Sequence, residues 1–341
     1  MSAEKRVQEA LEAIRRGEMV VMIDDEDREN EGDLVYASVF STPEHVNFMA
    51  THAKGLICVA TSLSIADRLE LTPMVTHNDS SYETAFTVSV DAKDASTGIS
   101  ASERDMTIKI LANPLSNKSE LVRPGHIFPL IAKEGGVLIR TGHTEGSVDL
   151  CRLAGLAESA VICEIIKEDG TMARRDDLDI FCEKHDLKTI FISDLVEFRL
   201  KNESLLTLLE SEETRFFAKP AVKEVYEDHM GHKHTAIIFG ERKAEMAVKV
   251  HNIGLDIDLL LHDEKHQHFN RSIAYLQKHG GVLLLIEQPA IHNEQMKEYG
   301  IGALILQALH ISKIKLISLK TNTAFVGIQG FGLQVVEQVE V

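Results

Sequence analysis

The sequence predicts an α+β protein with two domains, each of mixed α/β type. Its length supports two domains, because 341 residues exceed the usual size of a single one. Short apolar runs such as "MVVMI" (19–23) and "GLICVA" (55–60) have the length and composition of buried strands. Helical patterns lie between these runs, so strands and helices alternate along the chain.

The first domain can be divided into elements from its N-terminus. Apolar residues recur at helical spacing over residues 4–16, which predicts an amphipathic helix that ends near Gly17. Residues 19–23 then form a predicted buried strand. Further strands are predicted at "AFTVSV" (85–90), "GVLIR" (136–140), "VICEII" (161–166) and "TIFIS" (189–193).

A change of pattern marks the start of a second domain. Residues 198–217 have a helical and polar pattern, and strands resume beyond them at "TAIIFG" (235–240) and "MAVKVH" (246–251). We therefore predict domains at residues 1–204 and 205–341.

Charge and cysteine content limit the possible functions. The balance of 36 basic and 53 acidic residues, 36 − 53 = −17, disfavours nucleic acid and anionic membranes as partners but leaves room for a small anionic substrate. No apolar run approaches the roughly 18 residues that span a bilayer, and the N-terminal segment lacks a signal-like apolar core, so we expect a cytoplasmic protein. The four cysteines form no CxxC pair, which predicts reduced, buried thiols.

Acidic residues concentrate in "DDEDRENEGD" (24–33), which places seven carboxylates around Arg28 directly after a predicted strand. A solvated acidic turn is one interpretation. However, Asn30 and Gly32 are turn formers, and Arg28 could hold a carboxylate or a phosphate. Crowded carboxylates repel one another unless a positive charge lies among them, and Mg²⁺ or Mn²⁺ with oxygen ligands would supply it.

Two histidines and one glutamate are further candidates. His126 in "RPGHIFPL" and His143 in "RTGHTEGSVDL" are both predicted in turns, where each could be structural, solvated or a ligand. His143 would follow the strand at 136–140, with Arg140 and Thr144 as donors to a phosphate or hydroxyl. Glu164 is a lone carboxylate in a predicted buried strand, where it is either part of a buried salt bridge or available for proton transfer.

Six motifs in order resemble the 3,4-dihydroxy-2-butanone-4-phosphate synthase family of riboflavin biosynthesis. The likeness covers about residues 4–200. The motifs are "DDEDRENEGDLVYA", "THAKGLICVA", "TGISASERDMTI", "RPGHIFPLIAKEGGVLIRTGHTEGSVDLCRLAGL", "VICEII" and "DGTMARRDDL".

This resemblance implies a Mg²⁺- or Mn²⁺-dependent lyase, expected as a homodimer, that converts D-ribulose 5-phosphate into 3,4-dihydroxy-2-butanone 4-phosphate and formate. It implies that Glu29 and His143 hold the metal, and that Asp33, His126 and Glu164 are catalytic. The implied substrate contacts are Arg28, Asp33, Thr97, Arg140, Thr141, Gly142, His143, Thr144 and Glu164.

The second domain resembles GTP cyclohydrolase II over about residues 210–341. That family binds catalytic zinc with three cysteines, and the corresponding stretch here, "LDIDLLLHDEKHQHF" (255–269), has none; "EQPAIH" (287–292) replaces a loop rich in Arg and Gly. We expect no zinc and no activity there, and a solvated histidine cluster at His262, His266 and His268. A substitute metal site is the alternative for these histidines, because i, i+4 spacing puts His262 and His266 on one helical face. For the chain as a whole, the alternatives are a bifunctional enzyme that still opens GTP, and a noncatalytic binding protein built on two enzyme folds.

Overall fold

The computed structural model describes residues 2–26, 28–82, 84–203, 206–228, 231–253, 259, 261–287, 297–318 and 333–341. The chain divides into two compact units, Met1–Phe198 and Arg199–Val341. The boundary that the sequence predicts, between residues 204 and 205, lies outside the described residues.

The first unit combines helices with one mixed sheet. Its helices are Ala3–Arg15 (α1), Pro43–Phe48 (α2), Leu63–Arg68 (α3), Ala101–Ala112 (α4), His143–Leu153 (α5), Arg175–His185 (α6) and Ile192–Asn202 (α7). Its strands are Val20–Ile23 (β1), Gly32–Ala37 (β2), Cys58–Thr61 (β3), Val90–Ala92 (β4), Leu121–Ile131 (β5), Ser159–Glu164 (β6) and Lys188–Phe191 (β7).

The seven strands lie in the order β4-β5-β3-β6-β2-β1-β7. The pairs β1–β7 and β3–β5 are parallel and the other neighbours are antiparallel. Apolar side chains cover both faces: one core contains residues of α2, α4 and α6, and the other contains residues of α1, α5 and α7. This arrangement confirms the predicted α+β class for the first unit.

Local sequence explains why the unit starts as it does. Ser2 caps α1 by accepting the N–H of Lys5, and the apolar face of α1 is buried, as its spacing predicts. All four residues of β1 are buried, which agrees with the continuous apolar run at 19–23.

Four assignments from the sequence are wrong. "GVLIR" is not a strand: Gly135 and Gly136 both have positive φ, and a 3₁₀ turn follows at Gly136–Leu138 and buries Val137. His143 begins helix α5 and His126 lies inside β5, so neither histidine is in a turn. "AFTVSV" forms isolated bridges at Phe86 and Thr87 before β4 begins.

Helix α7 extends across the unit boundary to Asn202, so the helical pattern predicted at 198–217 is confirmed only for residues 198–202; from Leu206 the second unit forms a long hairpin instead. Its strands are Leu206–Phe216 (β8), Lys219–Asp228 (β9), Lys233–Phe239 (β10), Glu245–Ile253 (β11), Gly281–Glu287 (β12), Lys313–Ile317 (β13) and Gln334–Val339 (β14). They lie in the order β14-β13-β11-β12-β10-β9-β8. Helices Asp263–His279 (α8) and Lys297–Ala308 (α9) contribute to separate cores.

The polar pattern of residues 206–216 follows from their place in the sheet. β8 is the last strand in the order, and most of its side chains are exposed. A strand without a buried face lacks the apolar alternation that identifies strands in a sequence.

Two other sequence expectations can be compared with the structure. All four cysteines are buried free thiols, as predicted, and burial raises the pKa of Cys151 to about 12. Among the described residues, no helix has both the length and the apolar content needed to cross a bilayer.

Candidate active site

The acidic loop, residues 24–31, connects β1 to β2 and is folded around one carboxylate. The side chain of Asp24 is fully buried, and its two oxygens accept the N–H groups of Glu29 (3.0 Å) and Glu31 (2.8 Å). Arg28 donates Nη1 to both Asp24 (2.8 Å) and Glu29 (2.7 Å). In the described part of the loop, residues 24–26 and 28–31, Asp24 is therefore an internal anion with fixed partners, while Asp25 and Glu26 are exposed.

Helix α5 brings His143 to this loop. Gly142 caps the helix, and His143 is its first residue, 6% exposed. Its Nδ1 lies 3.5 Å from Oε2 of Glu29, and its Nε2 lies 3.9 Å from Oδ1 of Asp33. Residues that the sequence separates by more than a hundred positions thus meet at one point.

One group of side chains in the described part of the chain has donor atoms close enough to share a metal ion. Asp24, Glu29 and His143 each offer one ligand atom, and these atoms lie within 4.8 Å of one another. Since both oxygens of Asp24 accept backbone N–H groups, Glu29 and His143 are better placed to bind a cation.

Unsatisfied polar atoms lie next to this group, on the Asp33 side of the imidazole ring. His143 Nε2 and Asp33 Oδ1 are buried without a hydrogen-bond partner. Buried polar atoms are normally satisfied, so each orphan requires an explanation such as an ion. Carboxylate oxygen and imidazole nitrogen suit Mg²⁺ or Mn²⁺, and the site therefore fits the metal that the sequence resemblance implies.

Burial and neighbouring charge shift three titrating groups here. Burial raises the pKa of Asp33 to about 7 against the opposing effect of His143. Burial lowers the pKa of His143, but the charge of Asp33 and the contact with Glu29 outweigh it and raise the pKa to about 9. Burial likewise opposes ionisation of Glu29, yet His143 and Arg28 lower its pKa to about 2. Without metal, the site holds an ionised Glu29 beside a protonated imidazole.

Tyr82 connects the two arginines. Its hydroxyl donates to the carbonyl oxygen of Arg28 (2.9 Å), whose guanidinium lies 5.2 Å from the ring centroid. Arg140 donates Nη2 to the carbonyl oxygen of Tyr82 (2.9 Å) and Nη1 to Glu145 (2.5 Å). The guanidinium groups of Arg28 and Arg140 are thereby held in place by other groups of the protein.

Glu164 lies at the end of β6 and is half-buried, rather than inside a buried strand. Its Oε2 accepts the N–H of Leu56 (2.8 Å), which is a backbone partner and not the basic side chain of a salt bridge. Glu164 is directly opposite Asp33 in the β2–β6 ladder, so the two carboxylates share a face of the sheet.

His126 forms a second group with Asp91. Its Nδ1 lies 2.7 Å from Oδ2 of Asp91, and its backbone N–H donates to Oδ1 (2.8 Å). Because an ionised carboxylate only accepts hydrogen bonds, this contact favours the tautomer of His126 that has its proton on Nδ1. Thr97 belongs to the loop beside this pair, and its hydroxyl donates to Glu103 (3.1 Å), so that loop is held by a protein carboxylate.

The strand pairing shows that His126 extends from the same face of the sheet as Asp33 and Glu164. Cys58 of β3 is opposite both Phe128 and Ile162. His126 is two residues before Phe128 and Glu164 two residues after Ile162, so both extend from the face to which those residues belong. Asp33 lies on that face too. His126, Glu164 and Asp33 therefore extend from one side of the sheet, the side that α1 and α5 cover.

The other predicted contacts lie at the start of α5. Gly142 is its N-cap, Thr144 is buried in its first turn, and Thr141 precedes the cap. Free N–H groups at a helix start suit a phosphate.

Sequence reasoning did not single out Asp24, Tyr82 or Asp91, each of which contacts a candidate site residue. Asp24 was part of the acidic run but had no feature to separate it from its neighbours. Asp91 is 35 residues before His126, and only the β4–β5 pairing brings the two together.

In the second unit, the described histidines do not behave as one cluster. His262 and His266 are exposed, whereas His268 is 3% exposed in helix α8 and close to Ser272, so the expectation of three solvated histidines is wrong for His268. Residues 255–258, 260 and 288–292 of the two diagnostic stretches lie outside the described residues.

Models of two known protein families match parts of this chain, one in each unit. The family model of 3,4-dihydroxy-2-butanone 4-phosphate synthase matches residues 8–198, more than half of the chain. The model of GTP cyclohydrolase II matches residues 289–340, a shorter stretch than the likeness at 210–341.

Relatives extend over both units. A 3,4-dihydroxy-2-butanone 4-phosphate synthase from Sulfurospirillum multivorans is 60% identical over 336 residues, which are 98% of this chain and 94% of that protein. The crystal structure of a two-domain synthase of that name from A. baumannii is 39% identical with a TM-score of 0.75, and the match covers 98% of this chain and 99% of that one. A synthase structure in complex with two magnesium ions is 41% identical with a TM-score of 0.56, over 57% of this chain and 97% of that one.

Proposed function

The chain belongs to the 3,4-dihydroxy-2-butanone 4-phosphate synthase family, and we propose that Glu29 and His143 hold the divalent cation that this reaction uses. The enzyme converts D-ribulose 5-phosphate into 3,4-dihydroxy-2-butanone 4-phosphate and formate in riboflavin biosynthesis. One observation carries the proposed site: a carboxylate and an imidazole from distant segments of the chain lie 3.5 Å apart, with Asp33 on the other side of the imidazole ring.

Each element of the site then has a chemical role. When bound, the cation would polarise the ketose carbonyl and stabilise the oxyanion that develops as the enediol forms. Arg28, Arg140 and the start of α5 would bind the phosphate and hydroxyl groups. Tyr82 would keep the two arginines at a fixed separation, so that the substrate meets preorganised donors.

Asp33, His126 and Glu164 would move the protons. The reaction removes a proton next to a carbonyl, then eliminates water, rearranges the carbon skeleton and releases formate, so acids and bases must exchange roles. With a pKa raised to about 7, Asp33 can give or take a proton near neutral pH. His126, oriented by Asp91, offers Nε2 for the same purpose, and Glu164 lies opposite Asp33.

Two substitutions test the metal site. Glu29→Gln and His143→Asn should each weaken Mn²⁺ binding by at least about tenfold and greatly reduce formate release from D-ribulose 5-phosphate. Glu26→Gln, at an exposed carboxylate of the same loop, is the matched control and should behave as wild type. Wild-type Mn²⁺ binding by both site variants would refute the assignment.

The second unit is proposed to be catalytically inactive, without bound zinc. The relative from Sulfurospirillum multivorans aligns with both units and is named for the synthase activity alone. The missing cysteines support the same conclusion, because a thiolate cage is what activates water in the zinc family. Formate release from GTP by the full chain, supplied with Zn²⁺, would instead establish the bifunctional alternative.

The proposal also includes the oligomeric state of the protein, the identity of its metal ion and its cellular compartment. We infer a homodimer from the resemblance to both families, and analytical ultracentrifugation of the full chain would test it. Mn²⁺ should replace Mg²⁺, because both ions accept oxygen and imidazole ligands. The four buried thiols are compatible with a reducing compartment, which supports a cytoplasmic location.

A further inference from the structure

Arg174 contacts the backbone of the acidic loop from outside. It directly precedes α6, in the motif "DGTMARRDDL", and it is not among the site residues that the sequence predicts. Its Nη1 donates to the carbonyl oxygens of Glu29 (2.6 Å) and Asn30 (2.5 Å). The same nitrogen lies 3.6 Å from a carboxylate oxygen of Glu31.

Asp24 and Arg174 together restrain the backbone of residues 29–31 from two sides. Asp24 accepts the N–H groups of Glu29 and Glu31, and Arg174 donates to the carbonyl groups of Glu29 and Asn30. The segment therefore cannot rotate about either end without losing hydrogen bonds to an ionised side chain, which are stronger than neutral ones.

The backbone conformation at Asn30 agrees with a tight turn in this segment. Asn30 has φ of 55°, in the left-handed region that asparagine adopts more readily than most other residues with a side chain. The contacts of Asp24 and Arg174 on either side stabilise this turn. Since Asn30 directly follows Glu29, the restraint also determines where the carboxylate of Glu29 points.

Arg174 is itself fixed by the core. Its N–H donates to Asp177 (3.0 Å) and its carbonyl oxygen accepts the N–H of Leu178 (2.8 Å) at the start of α6. Leu178 is fully buried and packs so closely on β2 that a Cβ added to Gly32 would lie 2.6 Å from it. Helix α6 is thus anchored directly beside the acidic loop.

We propose that Arg174 is a positioning residue that holds Glu29 in the orientation needed to bind the metal. This inference rests on the proposed role of Glu29 as a ligand. Arg174 acts on the backbone of the loop and does not replace Glu29, so the metal affinity should depend on it more than the chemical step does. At saturating metal, a loop displaced by loss of Arg174 would be restored by the cation itself.

The test compares Arg174→Ala and Arg174→Lys with Arg175→Ala as the matched control. Arg175 is the next residue; its guanidinium pairs with Asp179 (3.2 Å) and lies 4.6 Å from the ring centroid of Phe191, away from the loop contacts. Two measurements are made on the full chain: amide hydrogen exchange over residues 28–31 without metal, and Mn²⁺ titration followed by electron paramagnetic resonance.

Arg174→Ala should accelerate exchange at Glu29 and Glu31 and weaken Mn²⁺ binding by about 10- to 100-fold, while kcat at saturating Mn²⁺ stays within about twofold. Arg174→Lys should be intermediate, since an ammonium retains one charged donor, and guanidinium ion should partly restore Mn²⁺ binding to Arg174→Ala. Arg175→Ala should match wild type in both measurements. Circular dichroism melting of each variant shows whether it is folded.

Two results separate this inference from the proposed function. Unchanged exchange or unchanged Mn²⁺ affinity in a folded Arg174→Ala, measured beside a weakened Glu29→Gln, would overturn the positioning role. Wild-type Mn²⁺ affinity in Glu29→Gln would overturn the metal role of Glu29, and with it the consequence assigned to Arg174.

Discussion

The acidic loop and strand β8 are both rich in carboxylates, yet they differ in almost every physical respect. In the loop, Asp24 is buried and accepts three hydrogen bonds, and the pKa of Glu29 is lowered to about 2. In β8, Glu210 and Glu212 are exposed and share one lysine, Lys223, at 3.2 and 3.0 Å. Charge density alone therefore does not identify a functional site; burial and fixed partners do.

The largest effect expected from this contrast is on catalysis. Asp33→Asn should reduce kcat for formate release by about 10²- to 10⁴-fold, because the amide keeps the shape of the side chain but cannot exchange a proton. Glu210→Gln, an equally isosteric change in β8, should leave kcat unaltered. A comparable loss in both variants would contradict the comparison.

Next in size is the effect of the Asp91–His126 pair. Asp91→Asn should lower kcat by about 10- to 100-fold with little change in KM, because Nδ1 of His126 loses its carboxylate partner and the ring its fixed orientation. Steady-state kinetics over a range of pH would measure both constants. Asp94→Asn, at an exposed position nearby, is the control, and an effect on KM alone would argue against an orienting role.

Metal affinity should rise with pH by up to about tenfold per unit. The pKa of His143 is raised to about 9, and the ring must lose its proton before it binds a cation.

In the metal-free protein, the stability contributed by protonated His143 is present below its ordinary pKa and is lost as pH rises through 9. Ionisation of Asp33 adds to this loss up to about pH 7, because its folded pKa is raised.

Thermal melting with and without Mg²⁺ checks this expectation. The increase in Tm on adding Mg²⁺ should be larger at pH 9 than at pH 6.5, and the metal-free protein should melt at lower temperature as pH rises. An increase that is equal at both pH values would show that proton release from His143 does not accompany binding.

The smallest effect is expected in β8. Lys223→Ala should leave the free energy of unfolding nearly unchanged, because its two partners are exposed and solvent screens the pairs. Chemical denaturation would measure this, and formate release should stay at the wild-type rate. A loss of several kcal/mol would mean that the exposed carboxylates of β8 are structurally as important as those of the loop.

Much of the fold could be predicted because its signals are local. Helix α1 and strand β1 follow directly from apolar spacing, and both are confirmed. Strand β8 could not be recognised, since an exposed edge strand has no apolar alternation. The run at 136–140 looked like a strand because a tight turn that buries Val137 has the same composition as a short strand.

The candidate site shows the same division between local and distant information. The motif pattern was sufficient to select Glu29, His143 and Asp33, and the structure brings all three together. Asp91 and Arg174 could not be found from spacing, because each reaches its partner through sheet pairing or a helix start more than 30 residues away in the chain.

The pairing of Asp33 with Glu164 has a consequence for how the enzyme can evolve. Successive residues of a strand face opposite sides, so a single-residue insertion or deletion in β2 or β6 would turn one of these carboxylates away from the other. A substitution changes one side chain at a time, whereas a shift of register would separate these two carboxylates in a single step. We therefore expect related sequences to vary in composition along these two strands and to keep their lengths.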